Sequence, residues 1–376
     1  MKLFYKRKYD YTTEYGIFGI RIKFTNKKKK NALSMYRHIP IPCPPTNYIF
    51  MNTNKFGDKE KKWFLAKLFY ERLGYYPNFS NPRTFNEKIH WMDLNYFNPV
   101  EQICNDKIEF KEYIKEKLGD GYTAKLLKIY ETVDDINLEE LPKSFVLKNT
   151  LTGDDYGVRI VKDKSKINID YLKYDANNLL QDWASGYYAC LNRNTKNRPM
   201  RLFAEEYLGP LDDNLNDYKF MCFHGKFKLG YVDVRIPNQK GKIFYFDENW
   251  NLLPIKHIEH TADKSFFPPK PKNFTKMVEL AEQLAADFPF VRIDFYDVED
   301  KVYLGEFTFN PDGGFGKFEP EEWDLKLGEM LDLTNIDKKY LINQKAEIHM
   351  VVRERERERE RERVILLPVK KVQLVA

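Results

Sequence analysis

Between Lys59 and Leu118 the apolar positions recur at helical spacing, with Trp63, Leu65, Leu68, Phe69 and Leu73 in one run and Ile108, Tyr113, Ile114 and Leu118 in another. Each run lines one face of an α-helix. From Ser144 the period changes. Ser144–Leu147, Val158–Val161 and Leu202–Tyr207 read as strands, and Tyr218–Phe223 and Phe227–Asp233 flank a His224-Gly225 turn. A helix is expected over Phe274–Phe288, then a hairpin from Val291–Tyr296 and Lys301–Phe309. Near the start, Tyr15–Phe24 alternates around glycines as a strand pair. Ile39–Pro45 holds four prolines, which remove backbone donors and fix φ, and reads as a linker. Helices followed by strands with interspersed helices predict an α+β fold in several lobes.

Composition narrows this. With 43% hydrophobic and 31% charged residues over 376 positions, the chain is globular and is neither disordered in bulk nor an integral membrane protein. No apolar run approaches the roughly 18 residues of a bilayer span. Met1–Asp10 passes from basic to polar without an apolar core segment, so a cytoplasmic protein is expected. Cys43, Cys104, Cys190 and Cys222 form no CxxC pair, which argues for buried free thiols over a zinc cluster or a disulfide framework.

The net charge of +6 is unevenly placed: residues 1–30 carry ten Lys/Arg against Asp10 and Glu14, leaving the remainder slightly acidic. A basic body for nucleic acid is therefore absent. The basic, aromatic start suits peripheral contact with an anionic membrane at the inner face of the plasma membrane, or a solvated edge hairpin. In the tail, Arg353–Arg363 alternates six Arg with five Glu. That is a solvated, partly helical arm, or the product of a GA-repeat tract whose slippage would make the tail frame-shifted or phase-variable.

The chemistry concentrates in two segments. In Phe290–Tyr296, Arg292 and Asp294 share one strand face, and two charged groups cannot enter a core unpaired. The returning strand carries Glu306, Thr308 and Asn310 on one face of its own. Pairing can set Asp294 beside Glu306, where two carboxylates need a cation between them. Oxygen ligands of this kind suit Mg²⁺ with a nucleotide's phosphates; the other reading is an exposed hairpin with Asp294 paired to Arg292 or Lys301. In the second segment, Lys148 ends an apolar strand ahead of Thr150–Gly157, where a lysine and the turn's N–H groups can hold phosphates, although the Walker pattern is missing.

Taken together these segments resemble the ATP-grasp superfamily, and more closely the TupA-like ATP-grasp family of surface-polysaccharide and teichuronopeptide biosynthesis. The resemblance covers roughly residues 60–332. It runs through Asn81–Trp91 (NPRTFNEKIHW), Asn105–Lys107 (NDK), Leu141–Lys148 (LPKSFVLK), Ala204–Leu208 (AEEYL), Asp217–Phe220 (DYKF), Gly305–Phe309 (GEFTF) and Gly314–Gly328 (GFGKFEPEEWDLKLG).

The resemblance implies two α+β lobes clamping ATP. Its domains would be an extension and linker over 1–45, a mostly helical domain over 46–140, a small lid over 141–210, a catalytic subdomain over 211–332 and a tail over 333–376. It implies Lys107, Lys148 and the loop glycine Gly153 at the phosphates. Glu205, Glu206, Tyr207 and Leu208 would form the adenine hinge, with Asp217 at the ribose and Lys219 at a phosphate. Asp294 and Glu306 would hold Mg²⁺, with Thr308 or Asn310 third because the usual Glu-x-Asn here reads Glu306-Phe307-Thr308. Arg292 would contact the transferred phosphoryl group, where charge develops, and with Lys148 it is the catalytic candidate. The family's His-Gly-Ser-Gly-like phosphate loop is replaced here, and Asp154 and Asp155 would repel phosphates unless turned away or metal-bound.

The implied reaction is carboxylate–amine ligation: a carboxylate attacks the γ-phosphate of ATP, and an amine displaces phosphate from the acylphosphate. The acceptor would be a uronic acid or acidic peptide on a bacterial surface glycan, and the amine a small amine or amino acid. Substrate residues are expected around Arg83–Trp91 and Asp312–Trp323. A glycosyltransferase using a nucleotide-sugar is a rival class, as is a degenerate protein that binds nucleotide without turnover; the Asp-x-Asp motif that would favour the first is absent.

Overall fold

The computed structural model describes residues 4–8, 12–17, 20–25, 58–151, 157–180, 194–195, 198–209, 215–234, 242–257 and 264–342. Phe4–Lys8 (β1), Thr12–Ile17 (β2) and Ile20–Thr25 (β3) form a three-stranded antiparallel sheet, one strand more than the pair expected over Tyr15–Phe24. The proline linker, Cys43, Cys190, Gly153 with its neighbours Asp154 and Asp155, and the Arg-Glu tract lie outside the described residues.

Four helices follow: Asp58–Leu73 (α1), Phe85–Asn95 (α2), Pro99–Asn105 (α3) and Lys107–Leu118 (α4). Their starts are written in side chains. Thr84 and Glu87 form a reciprocal capping box on α2. Asn98 caps α3 with Pro99 at its first turn, where a missing N–H costs nothing. Asp106 caps α4, accepting from the N–H groups of Ile108 at 3.0 Å and Glu109 at 3.1 Å, and Gly119 ends that helix at φ +89°.

The small sheet has the order β4-β7-β5-β6, from Leu126–Tyr130 (β4), Phe145–Asn149 (β5), Val158–Val161 (β6) and Leu202–Glu206 (β7), all antiparallel. Alternation divides its faces. Phe145 and Leu147 of β5 and Leu202 and Ala204 of β7 pack with Leu172, Ala176 and Leu179 of a helix at Ile169–Leu180 (α5). Lys148 and Glu205 therefore fall on the opposite face. β4, which precedes residue 140, belongs to this sheet as its edge strand, paired on its inner side with β7.

The large sheet has the order β10-β9-β8-β12-β13, from Asp217–Phe223 (β8), Lys226–Val234 (β9), Lys242–Asp247 (β10), Phe290–Val298 (β12) and Lys301–Thr308 (β13); Lys256–His257 (β11) pairs separately with Phe318–Glu319 (β14). Its two tight hairpins turn through paired positive-φ residues, His224 with Gly225 and Glu299 with Asp300, the backbone twist that two-residue hairpins favour. One face buries Phe220, Phe246, Ile293 and Phe295 against Met277, Leu280, Ala281 and Leu284 of a helix at Phe274–Ala285 (α6). Each such Phe, Ile, Leu or Met side chain stabilises the fold by about 1.5–3 kcal/mol. The other face is apolar at one end, where Met221, Phe223, Leu229 and Phe290 meet Phe85, Ile89 and Met92 of α2 and Leu327 of a helix at Glu322–Met330 (α7).

The helices of 58–118 thus share cores with the large sheet rather than forming a body of their own, and α4 sets Phe110 edge-on to Phe307 of β13 at 5.2 Å. Residues 333–342, assigned above to the tail, also enter the core: Ile336 is buried there and Leu341 bridges to Tyr96. No helix among the described residues is long and apolar enough to cross a membrane, and the described cysteines, Cys104 and Cys222, are buried free thiols.

Candidate functional site

The polar end of the large sheet and the polar face of the small sheet meet in one cluster of charge. The register of β8, β9, β12 and β13 puts Asp217, Lys219, Arg292, Asp294, Glu306 and Tyr231 on a common face. At Asp294 the pairing slips between Ile293↔Phe307 and Phe295↔Leu304, so that Gly305 and Glu306 together oppose Asp294. This bulge brings the second carboxylate alongside the first.

A cation does lie between them, and it is a side chain. Arg292 donates to both oxygens of Asp294 at 2.7 Å each, to Glu306 Oε1 at 3.2 Å and to the Tyr231 hydroxyl at 3.0 Å. Lys219 bridges Asp217 and Asp294 at 2.5 Å each, and Lys107 approaches Glu306 Oε2 at 3.5 Å. Asp294 is 1% exposed and Arg292 8%, so the hairpin is not exposed, although the pairing of Asp294 with Arg292 that the alternative reading expected is present. On the small sheet, Glu205 spreads its two oxygens between Lys148 at 2.5 Å and Lys111 at 2.8 Å.

The titration of these groups follows from burial set against neighbours. Burial would raise Glu205, but Lys148 and Lys111 carry it down to about 2; at Glu306 burial is likewise overcome, by Lys107 and Arg292 first, and the result is again about 2. Burial pushes Asp217 up to about 6, with Lys219 opposing and Asp294 reinforcing. Arg292, Lys148 and Lys219 are raised despite burial by the carboxylates they touch. Lys111 is lowered, burial outweighing Glu205.

Of the residues singled out in the sequence, Lys107, Lys148, Glu205, Asp217, Lys219, Arg292, Asp294 and Glu306 converge. Thr308 Oγ1 lies 3.4 Å from Glu306 Oε1, whereas Asn310 turns its amide to Asp93 Oδ2 at 2.7 Å. Glu206 is exposed, and its N–H donates to Lys125 O at 2.9 Å. Tyr207 lays its ring over Gly209, where a Cβ would meet the phenol oxygen at 2.6 Å. Leu208 follows, half-buried, just beyond the end of β7. Three members were not singled out. Lys111 follows Lys107 by one helical turn, a spacing that could have flagged it. Tyr231 and the Asp93 partner of Asn310 carry no local signal, because only the folded register brings them in.

As a test of fit for Mg²⁺, the carboxylates Asp294 and Glu306 are hard oxygen donors, and Asp217 Oδ1 beside them is a buried acceptor with no hydrogen-bond partner. Among the described residues no three of His, Cys, Asp and Glu gather as a complete ligand set. The donor set therefore fits an ion that draws its remaining ligands from phosphate and water, as Mg²⁺ does.

Two α+β lobes, each an antiparallel sheet backed by a helix and bringing lysines and carboxylates to a shared cleft, define the ATP-grasp architecture. A family model described as TupA-like ATPgrasp matches residues 87–332, and the chain belongs to that family. Among solved structures, the D-alanine–D-alanine ligase of Helicobacter pylori is 14% identical, over 66% of this chain and 69% of that one, with a TM-score of 0.36. That of Bacillus anthracis is 16% identical, over 65% and 73%, with a TM-score of 0.39. A carboxyaminoimidazole ribonucleotide synthase from Aspergillus clavatus, solved with ATP, is 15% identical, over 55% and 45%, with a TM-score of 0.31. These likenesses are distant, and the assignment rests on the family match. No curated protein matches the chain.

Proposed function

We propose that this protein is an ATP-dependent carboxylate–amine ligase that forms an amide on a uronic acid or other acidic group of a bacterial surface polysaccharide. The general class, an ATP-dependent ligase, goes with the family. The observation that carries the reading for this chain is the convergence of Lys107, Lys219 and Arg292 on Asp294 and Glu306, with Lys148 of the small sheet, paired to Glu205, near enough to Glu306 for their charges to interact.

In this reading Lys148 and Lys107 hold phosphate oxygens of ATP, and residues Glu205–Leu208 border the adenine. Arg292, fixed by Asp294 and Tyr231, presents its guanidinium where the transferred phosphoryl group gathers charge, so little reorganisation is left for the transition state. Asp294 and Glu306, with Thr308 or Asn310, would hold Mg²⁺, which when bound neutralises the phosphates. The acceptor carboxylate attacks the γ-phosphorus and ADP leaves; the amine nitrogen then attacks the acyl carbon, phosphate leaves with the bonding pair, and the nitrogen loses its proton. No side-chain nucleophile is needed, since positioning and electrostatics carry both steps. Location in the cytoplasm, with residues 1–30 against an anionic membrane, belongs to the same proposal.

The test is ADP and phosphate release from Mg-ATP over a panel of uronic-acid glycans and amines, in wild type, Asp294→Asn and Lys148→Ala. Turnover that needs both co-substrates and disappears in both variants supports the ligase. Absent turnover, with ATP still raising thermal stability by mass action, moves the reading to a nucleotide-binding protein without catalysis.

A further inference from the structure

Glu205 is a single buried carboxylate with two lysines upon it. Lys148 reaches one oxygen from β5, and Lys111 reaches the other from α4 while donating to Ala124 O at 2.7 Å. The cleft gathers Lys107, Lys111, Lys148, Lys219 and Arg292 against Glu205, Asp217, Asp294 and Glu306. At Glu205 itself two ammonium groups face one carboxylate, and without Lys111 the contact would be a simple one-to-one pair. The second lysine is not required to satisfy Glu205 while Lys148 stays in place. Its burial also favours the neutral amine, a cost that a residue kept only for packing would avoid.

We infer that Lys111 is a positioning residue for nucleotide binding, neutralising Glu205 so that the ammonium of Lys148 can leave that carboxylate for a phosphate oxygen. The inference rests on the nucleotide reading given above. Were Lys111 absent, moving Lys148 onto a phosphate would strand a buried carboxylate without a counter-charge, which is strongly unfavourable. With Lys111 tied to both Ala124 O and Glu205 Oε2, the carboxylate stays paired while Lys148 swings away.

Calorimetric titration of the full chain with Mg-ATP tests this, using Lys111→Met, Lys111→Gln, Lys111→Arg, Lys148→Met and the double variant Lys111→Met/Glu205→Gln. Lys111→Met and Lys111→Gln are each expected to weaken ATP binding about tenfold or more, and Lys111→Arg to stay within about threefold of wild type. The glutamine variant keeps donors for Ala124 and Glu205 but lacks the charge, so it carries the test if Lys111→Met does not fold. The double variant is expected to recover most of the loss, because no carboxylate is left to hold Lys148, a rescue that a merely structural lysine would not give. Wild-type affinity in Lys111→Gln, or a double variant no tighter than Lys111→Met, overturns the inference. Loss in Lys148→Met with none in Lys111→Gln overturns it while leaving the nucleotide reading intact. Wild-type protein that binds no ATP overturns both.

Discussion

The two sheets handle buried charge differently. On the small sheet one carboxylate, Glu205, is shared by two lysines, whereas on the large sheet Asp217, Asp294 and Glu306 are matched by Lys219, Arg292 and Lys107. The first cluster carries surplus positive charge and can give a lysine to an anion without leaving a carboxylate bare. The second is balanced, three carboxylates against three cations, so that an anion drawn to it would have to bring its own counter-charge. Holding so much charge out of water is weak evidence for stability and stronger evidence for function, since buried pairs rarely repay their desolvation.

The contrast can be broken most forcefully at Asp294. Asp294→Ala leaves Arg292 and Lys219 short of a buried partner and is expected to cost about 3–5 kcal/mol, read from denaturant unfolding. Lys148→Ala touches the surplus side: its fold should persist, since Lys111 still pairs with Glu205, while ATP-dependent turnover falls about 100- to 1,000-fold in an ADP-release assay.

The pH dependence of thermal melting separates the clusters further. Glu205 and Glu306 titrate at about 2 in the folded protein against an ordinary 4.5, so the stability they lend is complete above about 4.5 and is lost as pH falls toward 2. Asp217 works in the opposite sense. Raised from an ordinary 3.8 to about 6, it favours the folded state most at low pH, and that contribution disappears as pH rises through 6. Asp217→Asn should therefore flatten the melting temperature between pH 4 and 6, a range set by that shift, and leave the acid limb in place. The smallest effect is expected at Tyr231→Phe, which removes one acceptor from Arg292 and should cost about 2 kcal/mol by denaturant unfolding.

Much of this site was legible in the sequence because it lies on hairpins. Alternation alone set Arg292 and Asp294 on one face, and the charged turn at Glu299-Asp300 limited how Glu306 could return beside them. The bulge that completes the approach left no trace, since an extra residue in a strand looks like any other residue. Leu126–Tyr130 carries no clear strand signal because it is short, has no hairpin turn, and pairs with β7 about 75 positions away. That the Glu205 carboxylate lies on the face of Lys148 follows from period two, but its second partner, Lys111, comes from a helix that no strand pattern points to. Residues 333–342 gave no periodic signal, and their place in the core depends on contacts with α2 and the segment after it.

Helix α4 touches both sheets. Its cap Asp106 accepts from Arg201 at 2.9 Å and the Lys107 N–H donates to Thr150 O at 3.0 Å, both next to the small sheet, while Phe110 lies against Phe307 of the large one. Lys107 at its first residue is therefore held from both sides, its N–H donating to Thr150 O beside the small sheet and its ammonium facing Glu306 of the large one, so a substitution that shifts this helix reaches both clusters of charge at once.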